Sequence, residues 1–221
     1  MTVLSGLLRA ADDTRTGSLS YRLRAKRFEQ FAKYAAHSPT PTTILDVGGT
    51  EDYWEQRGWA GRDDIHITLL NLTATPVRHA NLESVAGDAT DLSQYPDDAF
   101  HVTFSNSVIE HVGSLERQHR MAREMRRVGI RYWVQTPNYW FPMEPHYLIP
   151  GWQWLPERAR VAILRRHGVG QLGRCPDIED ARRVVRGTRL LTRRELQRMF
   201  PDGALMAEHF GPFVKSWTMQ S

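Results

Sequence analysis

Glu144 and His146 stand two residues apart in a stretch bracketed by Pro142, Pro145 and Pro150, so the prolines restrict the backbone that presents a carboxylate beside an imidazole. An imidazole titrates near neutral pH, and such a pair suits removal of a proton from an alcohol. His146 would act as general base, with Glu144 orienting it or holding an acceptor hydroxyl. His111 is the rival base; the alternative for it is a histidine satisfied by backbone partners near a helix start. Glu144, His146 and one further carboxylate could hold a divalent cation such as magnesium, but no spacing demands a metal.

A second chemical feature is the run Ile-Leu-Asp-Val-Gly-Gly-Thr at residues 44–50. Its aliphatic residues suit a central parallel strand covered on both faces. Gly48 and Gly49 then let the backbone turn and approach a ligand closely. A dinucleotide fingerprint would need further glycines at fixed spacing, yet the next one is Gly58. An acidic residue directly before the glycines suits a cofactor with a free amino group and a positive charge, such as S-adenosylmethionine. A glycine turn with no ligand is the simpler alternative.

Composition limits the rest. The 221 residues, 41% hydrophobic and 24% charged, fit one domain with decorations. No apolar run has the length of a membrane span, and the first fifteen residues carry Asp12 and Asp13 rather than a cleavable apolar signal, so the expected compartment is the cytoplasm with no membrane partner. The single cysteine, Cys175, excludes an internal disulfide and a cysteine-cluster zinc site. Charge is uneven: residues 1–110 hold 10 basic and 15 acidic side chains, and residues 111–221 hold 19 and 10. The basic residues from Arg182 to Arg198 are spaced like a helix surface and lack the aromatic interleaving of a nucleic-acid groove, so no nucleic-acid partner is expected. A basic nucleic-acid-binding protein on the same scaffold is kept as an alternative.

The elements that must position these residues follow from periodicity. Leu19, Leu23, Phe28, Phe31 and Ala35 mark an amphipathic helix over residues 18–36. Strands are expected over 42–47, 65–72, 82–86, 100–105 and 130–135, and two late ones over 204–210 and 213–218. Helices are expected over 51–57, 115–128, 157–167 and 178–186, and one opened by the capping box Thr192/Glu195. The alternation predicts an α/β fold with a doubly wound parallel sheet. The chain reads as one domain: a helical segment over 1–41, a cofactor-binding core over 42–137, a substrate-covering insertion over 138–190, and a closing helix and strands over 191–221.

Four motifs in this order, ILDVGGT, LLNL, AGDATDL and FHVTFSNSVIEHV, resemble those of the class I S-adenosylmethionine-dependent methyltransferases along about residues 42–137. The resemblance implies a Rossmann-like seven-stranded, mostly parallel sheet with an antiparallel last strand, and S-adenosyl-L-methionine as cofactor. It implies that Asp46, Gly48 and Gly49 face the methionine part with Thr50 nearby, Asn71 the ribose hydroxyls, Asp88 and Ala89 the adenine, and Asn106 and Ser107 the floor under the sulfonium. Asn71 departs from the family, which usually has an acid there. Asx-type turns are the alternative for Asn71 and Asp88.

The segment at residues 136–150, TPNYWFPMEPHYLIP, with VGGTEDYW and FVKSW, resembles a bacterial subgroup associated with sugar and polysaccharide modification. Within it the similarity is to mycobacterial sugar 1-O-methyltransferases of methylmannose polysaccharide biosynthesis. That implies O-methylation of a saccharide hydroxyl. N-methylation, or O-methylation of a phenol, in a small natural product is the alternative. Tyr139, Trp140 and Tyr147 are candidate platforms for the acceptor, although lid packing would use the same side chains. Exposed aromatics would also allow a homo-oligomer.

Overall fold

The computed structural model describes residues 19–169 and 173–221, with side chains from residue 24 onward. The charges Asp12 and Asp13, Ser18, and the side chains of Leu19 and Leu23 lie outside the described residues. The chain divides into two compact units, one of the leading helix and residues 142–186, the other of residues 37–141 and 187–221.

The larger unit is built on a seven-stranded sheet. Its strands are β1 (Thr42–Val47), β2 (Ile65–Asn71), β3 (Leu82–Ala86), β4 (Phe100–Asn106), β5 (Gly129–Pro137), β8 (Ala204–Phe210) and β9 (Phe213–Gln220), in the order β3-β2-β1-β4-β5-β9-β8. The first five pair in parallel, for example Ile44 with Ile67 and with Val102, and β9 runs antiparallel to both β5 and β8. The fold class is therefore the expected α/β sheet with an antiparallel last strand.

Side chains alternate across the sheet. Leu45 and Val47 join a core with Met121, Ala122, Met125 and Val128 of α3 (Leu115–Val128) and with Leu196 and Met199 of α6 (Arg193–Met199). Ile44 and Asp46 therefore point to the other face, where Trp54 of α2 (Glu51–Glu55) stacks on Trp59 and meets Phe104 edge-on. Ser114 caps α3 and Thr192 caps α6 through a complete capping box with Glu195. The connections from β2 to β3 and from β3 to β4 contain no helix, and α2 stops at Glu55 rather than Arg57. Loop 72–81 is instead tied down by polar bonds, with Arg78 reaching Glu51 and Glu55 and with Asn81 donating to the carbonyls of Trp59 and Ile65.

The smaller unit contains α1 (Leu19–Ala35), the short antiparallel pair β6 (Met143–Glu144) and β7 (Ile149–Pro150), α4 (Glu157–Arg166) and α5 (Ile178–Arg186). Tyr147, Trp152, Val161, Leu164, Ala181 and Val185 form its core. Asn138, in the larger unit, is bonded to the carbonyls of Val214 and Lys215 of β9.

Candidate active site

In the larger unit the carboxyl ends of β1, β2 and β3 are fastened to one another by backbone bonds that continue past the strands. Gly48 N–H donates to the Leu70 carbonyl and Gly87 N–H to the Asn71 carbonyl, both at 2.8 Å. Above these ends opens a cleft of about 590 Å³, including the part continuous with solvent, lined by Val47, Gly48, Leu70, Asn71, Leu72, Gly87, Asp88, Ala89, Val108, His111, Val112 and Arg117. Its position is the one that open α/β sheets reserve for ligands.

The glycine turn is required by what surrounds it. Gly48 has φ +78°, and a Cβ there would lie 2.5 Å from Val108 Cγ2. A Cβ on Gly49 would fall 1.7 Å from a carboxylate oxygen of Asp46. That carboxylate is 1% exposed and accepts from Trp54 Nε1 at 2.7 Å, so Asp46 underpins the turn and does not line the cleft. Burial pushes its carboxyl up to about 7, with the Trp54 hydrogen bond pulling the other way. Thr50 is the N-cap of α2, where its hydroxyl accepts from Tyr53 N–H at 3.4 Å.

Asn71 lines the cleft and donates its amide N–H to the Gly49 carbonyl at 2.8 Å. This bond assigns the amide: Nδ2 is committed to the turn, and Oδ1 remains the acceptor. Asp88 accepts from Thr90 N–H at 2.9 Å and Thr90 Oγ1 at 2.8 Å on one oxygen, and from Arg117 Nη2 at 2.9 Å on the other. Burial alone would raise its carboxyl, but the Thr90 and Arg117 bonds together hold it below the ordinary aspartate value. Ala89 lies beside it. Asn106 ends β4, and Ser107 follows at φ +59° with its hydroxyl donating to Gln135 Oε1 at 2.9 Å. His111, exposed in a short 3-10 turn, lines the cleft, with Nδ1 3.4 Å from the Gly187 carbonyl.

Tyr139 and Trp140 follow β5 in the same unit, with rings perpendicular at 4.9 Å and Trp140 62% exposed. In the smaller unit, Tyr147 is buried, stacked on Trp152 at 4.6 Å, and its hydroxyl donates to the Val184 carbonyl. Glu144 is also buried there: one oxygen accepts from His146 N–H and Tyr147 N–H at 2.7 and 2.8 Å, and the other lies 2.7 Å from His146 Nδ1. A carboxylate on Nδ1 fixes the tautomer, so the lone pair belongs to Nε2.

Sequence reasoning missed Arg117, Val108 and Leu72 in the cleft wall. A signal existed for Arg117: it sits in the first turn of α3, where the helix dipole favours acids, so a cation there implies a specific partner.

The lining suits an adenosyl ligand. Asp88 and Asn71 Oδ1 offer acceptors for an amine and a ribose hydroxyl, Leu70, Ala89 and Val112 supply apolar wall, and the glycine turn removes side chains where the backbone meets the ligand.

Residues 48–131 match the family described as a methyltransferase domain. An uncharacterized protein of Mycobacterium tuberculosis H37Rv is 26% identical over 121 residues, 55% of this chain and 39% of the relative. The match thus spans well under half of that relative's length. Among solved structures, an S-adenosylmethionine-dependent methyltransferase from Aquifex aeolicus superposes with TM-score 0.50 at 10% identity, covering 87% of each chain. A Rhodobacter sphaeroides protein titled a putative zinc-dependent alcohol dehydrogenase gives 0.55 at 12% identity, also covering 87% of each. Likeness at that identity shows the fold alone. The sequence match to the methyltransferase domain thus covers the glycine turn and the ends of β2 and β3 that build the cleft, and the Aquifex aeolicus methyltransferase shares the fold. Among the described residues, no helix is long and apolar enough to cross a membrane.

Proposed function

We propose that the chain transfers the methyl group of S-adenosylmethionine to a hydroxyl of a small acceptor, a saccharide such as the 1-OH of a methylated mannoside. The observation that carries the reading is the cleft, which combines a glycine turn, the Asn71 acceptor and the Asp88 carboxylate at adjacent strand ends. The bound cofactor supplies a methyl group already activated by the sulfonium, so the protein's work is to position the nucleophile and remove its proton.

In this reading Asp88 accepts from the adenine amine and Asn71 Oδ1 from a ribose hydroxyl. The turn at Gly48 and Gly49, with Thr50 after it, receives the methionine part. Asn106 and Ser107 form the floor, and Asp46 supports the turn from beneath. Glu144 holds the Nδ1–H of His146, and His146 Nε2 takes the hydroxyl proton as the acceptor oxygen bonds to the methyl carbon and the C–S bond breaks. Support for a hydroxyl rather than an amine acceptor is this pre-oriented base, which an amine would need less. His111 is the other candidate base, and Tyr139 and Trp140 the candidate sugar platforms.

The test is titration with S-adenosylhomocysteine followed by turnover assays on simple and partly methylated mannosides. Binding that is lost in Asp88→Ala, and turnover that is lost in His146→Ala with binding intact, are expected. Turnover of an amine or phenol but of no saccharide would overturn the acceptor class, and absence of binding would overturn the reading as a whole.

A further inference from the structure

We infer that Arg117 is a positioning residue for the base-binding end of the cleft: it fixes the Asp88 carboxylate as an acceptor for an exocyclic amine, so that the chain selects an amino purine over an oxo purine. The inference rests on the adenosyl-binding reading above and assigns a residue outside its motifs.

A carboxylate offers about four acceptor sites. Thr90 takes two of them on Oδ1, at 2.9 and 2.8 Å, and Arg117 Nη2 takes one on Oδ2 at 2.9 Å. A single site remains, on the oxygen that Arg117 holds. Arg117 is itself anchored, since its Nε donates to the Val112 carbonyl at 2.7 Å. The guanidinium therefore bridges two groups of the cleft wall with directed bonds from Nε and Nη2, on side chains that are 40% and 41% exposed. Asp88, Ala89, Val112 and Arg117 all line the cleft. Thr90 holds one oxygen of the carboxylate and Arg117 the other, which opposes its turning from the exocyclic amine position toward the N1–H that an oxo purine offers instead.

The arrangement predicts a titration. An amine ligand needs the ionised carboxylate, so affinity falls as Asp88 takes a proton. Asp88 is held below the usual range against its burial by the Thr90 N–H, Arg117 and the Thr90 hydroxyl. The other charged neighbour is Asp91 of the same turn, and His111 is the titratable group elsewhere on the cleft wall. Removing Arg117 removes the cation while Asp91 stays, so the acid limb of binding should move to higher pH.

The experiment titrates the full chain and its Arg117→Met and Arg117→Lys variants with S-adenosylhomocysteine and with S-inosylhomocysteine, whose purine carries a carbonyl in place of the amine, from pH 7 down to pH 4. Wild type should prefer the adenosyl ligand by about tenfold or more. Arg117→Met should bind it about tenfold more weakly, lose most of the preference and show the raised acid limb. Arg117→Lys keeps the charge without the fork and should fall between. Equal affinity, preference and acid limb in wild type and both variants would reduce Arg117 to a surface ion pair and overturn the inference. Wild-type protein that binds neither ligand would overturn the adenosyl-binding reading as well, so the two failures are distinguishable.

Discussion

Trp54 donates its indole N–H across 2.7 Å to the carboxylate of Asp46, and both groups are buried beneath the glycine turn. The carboxyl raised to about 7 makes this contact a source of pH-dependent stability. The unfolded chain ionises Asp46 near 3.8, whereas the folded chain keeps it protonated until about 7. Its stabilising contribution is therefore complete below 3.8 and is lost as the pH rises through about 7. Asp46→Asn should remove this dependence, gaining relative to wild type between pH 5 and pH 8 by at most about 3 kcal/mol. Urea unfolding of both proteins at the two pH values measures it; parallel curves would show that Asp46 does not titrate in this range.

Trp54→Phe keeps the aromatic packing on Trp59 and Phe104 but removes the indole hydrogen bond to the Asp46 carboxylate. The expected cost is about 1–3 kcal/mol at neutral pH and less at pH 5, where the carboxyl is protonated. Thermal melts at the two pH values distinguish this from a uniform packing loss.

Asn71→Asp introduces the acid usual in the methyltransferases that the motifs resemble, yet under the proposed function it should weaken cofactor binding. The new carboxylate would face the Gly49 carbonyl that Asn71 now donates to at 2.8 Å, with no proton to share. We expect about a tenfold loss of S-adenosylhomocysteine affinity by calorimetry. A gain in affinity would mean that the ribose contact outweighs the turn.

Gly48→Ala should abolish cofactor binding through both a left-handed φ of +78° and the collision with Val108 at 2.5 Å. Pairing it with Val108→Ala relieves only the collision. The double variant should recover part of the lost stability and retain a cost of about 1–2 kcal/mol for the backbone, readable in unfolding midpoints.

Glu144→Gln tests the proposed base without emptying the site. The amide oxygen can still accept from the N–H groups of His146 and Tyr147, but the amide nitrogen would then face His146 Nδ1 as a donor. That inverts the tautomer and places a proton on Nε2. kcat should fall by about 10²–10⁴ with KM little changed.

Several strands were legible because they are short apolar runs closed by Asx or glycine residues, as in Ile44 to Gly49 and Leu82 to Asp88. The polar bonds of Arg78 and Asn81 that hold the loop after β2 were not, because no periodicity records them. The cleft positions of Asn71, Asp88 and Ala89 follow from strand ends and could be read. Asp46 could not be separated from them, since only the packing reveals that its side chain turns toward Trp54 on the covered face. Tyr147 has the composition of a ligand platform, but its ring lies in the core of the smaller unit against Trp152.

The strand that leads to Asp88 is β3, the outermost of its sheet, with only Leu82 fully buried and with coil on both sides of it. An edge strand of this kind opens at a small fraction of the global unfolding free energy. Native-state amide exchange in β3 should therefore be fast in the free protein and slow when an adenosyl ligand is bound, while β1 and β4 barely respond. Affinity for that ligand then includes the work of closing the edge, and residues that never touch the ligand, such as Ser84 bonded to Thr75, become regulators of how tightly it is held.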